Sequence, residues 1–146
     1  MASDDPRLEG YKLWHGEDPF EDHCGPLYYR LGEDGHYRCA MIVGKQHSNG
    51  QGRLHGGMMM TFADYAMILI GMPPLDKIRA VTVSFKSEFV SVGELGEFVE
   101  AEGEVTHETS SMLFVRGKVF TGDRLILNFS GVFKKLGPRE PAWVME

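Results

Sequence analysis

An α+β domain in which an antiparallel sheet curls around one central helix is the fold class this sequence predicts, on three observations. The chain has 146 residues, the size of one ordinary domain and too few for two well-cored ones. Met58 to Ile70 is apolar nearly all the way round, interrupted by Thr61 and Asp64, as a buried helix must be. Beyond the prolines that follow it, apolar residues recur at every second position, most plainly where Val99, Ala101, Gly103 and Val105 alternate with Glu100, Glu102 and Glu104. That alternation marks strands with one wet face. One apolar helix followed by long strands buries itself only if the sheet wraps it.

Taken in order, residues 1–26 mix charge, Pro and Gly with Tyr11, Trp14 and Phe20. They read as an arm fixed to the domain by a few large side chains, with no long helix. Leu27 to Val43 holds two apolar runs around Gly32-Glu33-Asp34-Gly35, a hairpin signal. The polar, Gly-rich residues 45–53 lead into the helix of about four turns, which Gly71 and Pro73-Pro74 stop. Strands then run through Ile78–Val92, residues 99–105, Met112–Phe120 and Arg124–Lys134, with turns at Gly93–Gly96, Glu108–Ser111 and Thr121–Asp123. In chain order they form an antiparallel meander. The domain therefore spans residues 27–136, and residues 137–146 are a loose tail. Long edge strands invite a second copy, so a homodimer with a continuous sheet is expected.

Composition narrows the function. Apolar residues make up 42% and charged residues 25% of the chain, so disorder, collagen-like repeats and coiled coil are excluded. Fifteen basic against 21 acidic residues give a net charge of −6, and no basic run exceeds Lys134-Lys135. A nucleic-acid partner held by a broad cationic face does not fit. The start is acidic without an apolar leader core, and Tyr65–Ile70 is far short of a membrane span. A soluble, cytoplasmic protein with no membrane partner is expected. Cys24 and Cys39 are then two reduced thiols, with no zinc-site spacing around them.

The 18 glycines exceed the roughly 7% of average usage, and several fall between His47 and Gly57, directly before the helix. Free amides at a helix start attract negative charge, and glycine lets a ligand approach the backbone. Gly50, Gly52, Gly56 and Gly57 therefore either serve tight turns or build a site for an oxyanion. Asp64, inside an apolar helix, must be hydrogen-bonded, face a wet cavity or titrate high. It reads as a base or nucleophile, or as a residue on a narrow solvent stripe with Thr61. Gly56 and Asp64 are eight residues apart, about 12 Å along one helix, and cannot both touch one carbonyl. If both serve one reaction, Asp64 comes from a second subunit with an antiparallel helix.

Four further readings carry an open alternative. Asn49 positions a water or the substrate, or forms a turn beside Gly50. His55 donates to the carbonyl or caps the helix. Thr82 and Ser84 offer a hydroxyl to Asp64 or are ordinary strand residues. Met58, Met59, Met60 and Met67 line an acyl pocket or are plain core.

With Asp64 eight positions after Gly56, the run Asn49-Gly-Gln-Gly52-Arg-Leu-His55-Gly56-Gly57 resembles the hotdog-fold thioesterases of the phenylacetate-degradation (PaaI-like) branch. The likeness extends through the helix and strands as far as Leu136. It implies hydrolysis of acyl-CoA thioesters by homodimers, often paired into homotetramers, without metal or redox cofactor. Carried over by position, the Gly56 amide polarises the thioester carbonyl, assisted by Gly57, and His55 orients it. Asp64 of the opposite subunit is base or nucleophile, Asn49 holds the water or thioester, and Thr82 falls where relatives often carry a hydroxyl. Arg53, Lys134 and Lys135 are the candidate cations for the CoA phosphates, and Met60 the candidate acyl contact. The acyl group is open among aryl-acetyl, benzoyl-like and short to medium aliphatic.

A dinucleotide site does not fit: His55 stands where a third glycine is needed, and the flanking chain is antiparallel. No second His and carboxylate pair around the helix suits a dehydratase. The rival of a different class is a non-catalytic acyl-CoA or lipid-binding hotdog module.

Overall fold

The computed structural model describes residues 4–72 and 78–138. The chain runs through β1 (Lys12–Trp14), α1 (Pro19–Cys24), β2 (Leu27–Leu31), β3 (Tyr37–Ile42), α2 (Gly56–Gly71), β4 (Ile78–Phe89), β5 (Phe98–Glu108), β6 (Met112–Thr121) and β7 (Arg124–Pro138). Short 3-10 turns lie at Pro6–Leu8 and Lys45–His47.

Helix α2 behaves as its composition requires. Met58, Met59, Phe62, Ala63, Tyr65, Ala66, Met67, Leu69 and Ile70 are buried, and the sheet supplies Val99, Ala101, Leu113, Val115, Leu127 and Phe133 against them. Only Met60, Thr61, Asp64 and Ile68 remain less than buried through the middle of the helix, a single stripe at helical spacing. Gly131 on β7 allows the closest approach, since a Cβ there would collide with the Met67 sulfur. Phe133 similarly excludes a side chain at Gly71, at 2.6 Å from the Cβ position. Pro73-Pro74, the expected stop, lies outside the described residues, as do residues 139–146 of the tail.

The other face of the sheet is polar. Arg38 pairs with Glu102, Arg116 with Glu104 and Lys118 with Glu102 across strands, which accounts for the acidic half of the β5 alternation.

The strand order is β1-β2-β3-β5-β6-β7-β4, antiparallel throughout. The β2–β3 hairpin is as expected, and β5–β6–β7 is a meander. The expectation that β4 continues that meander is wrong: β4 lies beside β7 at the far edge. Both sides of β5 are occupied, by β3 and β6, so β4 has no place next to it. Strand β4 also ends at Phe89 rather than Val92, because the Val90 and Ser91 amides both turn to the Ile126 carbonyl and break the ladder. Its register slips between Thr82 and Ser84. The slip leaves Thr82 facing the helix and turns Phe85 inward onto Phe129, ring centroids 6.2 Å apart.

The arm adds β1 to the sheet edge and lays α1 near α2. Tyr11 meets the Phe98 ring edge-on, and Trp14 meets Tyr29 and Tyr65. Phe20 departs from the expected anchoring: it is 61% exposed, because α1 sets Cys24 against the core instead. Cys39 is buried, and both thiols are free.

Candidate active site

The Gly-rich loop is an Asx-bridged turn. Asn49 Oδ1 accepts the Gln51 and Arg53 amides at 2.9 and 3.1 Å, and Gly52 takes a left-handed φ of 75° that favours glycine. The loop is tied down by Leu54 N–H to the Gly93 carbonyl and His55 N–H to the His47 carbonyl, each 2.8 Å. His47 is buried: its Nδ1 accepts the Gly44 amide at 2.9 Å and its Nε2 donates to the Cys24 carbonyl at 2.7 Å. One imidazole thus joins the loop to the arm.

His55 caps α2. Its Nδ1 accepts the Gly57 amide at 2.8 Å, which in the neutral ring puts the proton on Nε2. The capping reading therefore holds, and Nε2–H remains as a donor. The Gly57 amide is spent on this cap, so a substrate contact for Gly57 through its N–H does not fit. Met59 N–H returns to the His55 carbonyl at 3.0 Å. The Gly56 amide, at the first helical position, needs no intrahelical partner and is not used by the His55 cap. The Phe89 ring packs beside Gly56, 3.3 Å from where a Cβ would be.

Asp64 lies in the middle of the same helix, on the stripe that faces away from the core. Thr82 Oγ1–H donates to Asp64 Oδ1 at 2.6 Å, so the strand hydroxyl meets the carboxylate. Burial pushes the Asp64 pKa up; the Thr82 bond opposes this, and the charge of Asp18 adds to it. Asp64 lies at the junction of two cavities, one of about 580 Å³ toward Ile68, Leu69, Met72 and Ile78, the other of about 350 Å³ toward Met60, Thr61 and Phe85. A raised carboxylate at a cavity wall can hold a water for proton abstraction or attack a carbonyl itself.

Two wall residues common to both cavities come from the arm and were missed. Asp18 and Glu21 line both cavities together with Asp64. Asp18 caps α1 by accepting the Glu21 amide at 3.0 Å, with Pro19 at the first helical position. Asp-Pro-x-Glu was the available signal for that helix start. Nothing in the sequence places α1 against Asp64.

The structure thus joins Asp64 with Thr82 and Met60, and separately joins Asn49, Arg53, His55 and Gly56 around the helix start. Met58, Met59 and Met67 are core. Lys135 bonds Glu108 at 3.2 Å. Lys134 pairs with Val81, beside the Thr82–Phe133 pair that faces the helix, and alternation turns it to the opposite face from Asp64. A larger hollow of about 740 Å³ lies among the ion pairs of the polar face, remote from these groups. No helix among the described residues is long and apolar enough to cross a membrane.

Residues 51–127 match the family model described as Thioesterase superfamily. A Pseudomonas aeruginosa protein named "Putative esterase PA0474" is 30% identical over 129 residues, covering 86% of this chain and 94% of that protein. A structure of a variant of the phenylacetic acid degradation protein PaaI from Thermus thermophilus is similar with a TM-score of 0.69 and 26% identity, covering 82% of this chain and 100% of that one. BH2602 of Bacillus halodurans, solved with CoA, is similar with a TM-score of 0.64 and 26% identity, covering 76% of this chain and 74% of that one.

Proposed function

The chain belongs to the thioesterase superfamily, with the hotdog fold, and from that premise we propose that it hydrolyses acyl-CoA thioesters to a free acid and CoA at sites shared between two subunits. The observation that carries the reading is Asp64 itself: a half-buried carboxylate, fixed by Thr82, at the meeting point of two cavities. The CoA held by the Bacillus halodurans relative supports the leaving group. In this mechanism the Gly56 amide donates to the thioester oxygen as it becomes negative, a type of contact worth about 2.7–4 kcal/mol of barrier. His55 Nε2–H and the Asn49 side-chain amide orient the thioester and its water.

Gly56 and Asp64 lie on one continuous helix, about 12 Å apart by helical rise, so the carboxylate that serves a given carbonyl belongs to the partner. Strand β4 supports the pairing: it is a sheet edge of 12 residues with Val81, Val83 and Phe89 exposed, the kind of edge that a second copy covers. Assembly of dimers into a tetramer is part of the same proposal. Arg53, exposed and three residues before Gly56, is the favoured candidate cation for CoA phosphate, ahead of Lys134, on the opposite face from Asp64, and Lys135, paired with Glu108.

The test is free-thiol release from a panel of acyl-CoAs by wild type and Asp64→Asn. Turnover lost in a folded variant supports hydrolysis; binding without turnover in wild type supports an acyl-CoA or lipid carrier instead. Single-turnover hydrolysis in oxygen-18 water tests for the nucleophilic role, since label enters Asp64 only when water opens an Asp64–acyl anhydride at the Asp64 carbonyl, and a base acquires none.

A further inference from the structure

Three carboxyl groups share the walls of both cavities, and each has one oxygen committed. Asp18 Oδ1 caps α1, Asp64 Oδ1 takes the Thr82 hydroxyl, and Glu21 Oε1 accepts the Trp14 indole N–H at 3.1 Å. Among the described residues, no Lys or Arg ion-pairs with any of the three. Arg79 lines the larger cavity and turns its guanidinium to the Leu136 carbonyl at 3.3 Å. The arm thus brings two further carboxyl groups beside the reacting one, and among the described residues no cation pairs with any of the three.

Building on the reading of Asp64 above, we propose that Glu21 is a positioning residue for the hydrolysis, acting through Asp64 by setting how much negative charge the shared cavity holds. Burial pushes Glu21 up to about 7, with Asp18, Asp64 and Asp22 adding to the shift and the Trp14 bond opposing it. The other groups facing it are Cys24 at the end of α1, Tyr65 on α2 and Cys39 on β3. All three titrate above their ordinary values and stay neutral. Glu17 and Arg79 complete the charged lining of the larger cavity.

Below about pH 7 Glu21 is a neutral acid, and the developing oxyanion meets one fewer negative charge. Above it, Glu21 ionises beside the already charged Asp64 and opposes the negative transition state. Its proton goes to solvent, and Glu21 forms no bond with the substrate. A negative charge added to the wall of the cavity that Asp64 lines is expected to slow the reaction by roughly tenfold.

The experiment measures kcat/KM from pH 5 to 9 with hexanoyl-CoA and phenylacetyl-CoA, beside a carbon-13 titration of the side-chain carboxyls assigned with Glu21→Gln. The expected results are a Glu21 midpoint near 7, an alkaline fall in wild type and its loss in Glu21→Gln. Asp18→Asn keeps a capping acceptor and moves the fall to lower pH, which covers the case of a Glu21→Gln variant that fails to fold. Superimposable profiles, or a Glu21 carboxyl titrating in the ordinary range, overturn the proposal. Full activity in Asp64→Asn, or an inactive wild type, counts instead against the hydrolytic reading, and the carboxyl titration still decides the state of Glu21.

Discussion

Replacing Gly56 by proline deletes a single N–H while leaving the helix intact, and so isolates the donor assigned to the thioester oxygen. Position 56 is the first residue of α2, where proline's fixed φ suits the helix and its missing donor is not needed by the ladder. His55, at φ −65° and ψ 137°, is already in the extended region that a following proline demands. The new Cβ meets the half-exposed Phe89 ring at 3.3 and 3.5 Å, a contact the ring relieves by a small shift. Gly56→Ala adds the same carbon and keeps the N–H, so it measures that steric part alone. Loss of the donor is predicted to lower kcat by roughly 10²–10³, the equivalent of about 2.7–4 kcal/mol. The assay is thiol release at saturating acyl-CoA, with thermal melts to show that both variants fold. The reasoning is refuted if proline and alanine reduce kcat equally, or if the folded proline variant keeps its activity.

Thr82→Val keeps the shape and removes the bond that favours ionised Asp64, so the acid limb of the pH–rate profile is predicted to move to higher pH, with up to about a tenfold loss on that limb for each pH unit of displacement. Thr82→Ser restores it, and an unmoved limb contradicts the assignment. His47→Ala leaves the Gly44 amide and Cys24 carbonyl without their partner, and urea unfolding is expected to show a loss of roughly 2–4 kcal/mol; a loss below about 0.5 kcal/mol contradicts a structural role. Glu21 is raised from its ordinary 4.5 to about 7, so the folded state binds this proton more tightly than the unfolded chain. Its contribution is therefore full below pH 4.5 and declines as pH rises to 7. Glu21→Gln is predicted to gain stability over wild type between pH 5 and 8, approaching at most about 3 kcal/mol and less for solvent screening. An equal difference at both pH values rules this out.

What was legible in the sequence was local. The apolar run from Met58 to Ile70 reports burial nearly all the way round, and the interrupting Asp64 signals a cavity because a carboxylate in that setting needs a reason. The glycines and His55 before the helix likewise announce an unoccupied helix start. The sheet order was not legible, because β4 and β5 carry the same alternation and only competition for the edges of β5 sends β4 to the far side. The slip after Thr82, which keeps that hydroxyl on Asp64, is a register property with no residue signature. Asp18 and Glu21 were readable as a helix start and nothing more. Their place at the site depends on α1 folding back beside α2 some 40 residues later in the chain.

If each site takes its carboxylate from one subunit and its amide from the other, mixed dimers recover activity that neither parent has. Co-expressed Asp64→Asn and Gly56→Pro protomers pair at random into about one-half heterodimers, each holding one intact site of two, which predicts about a quarter of wild-type activity from two inactive parents. A mixture no more active than its parents, in protein shown to contain the heterodimer, contradicts the claim.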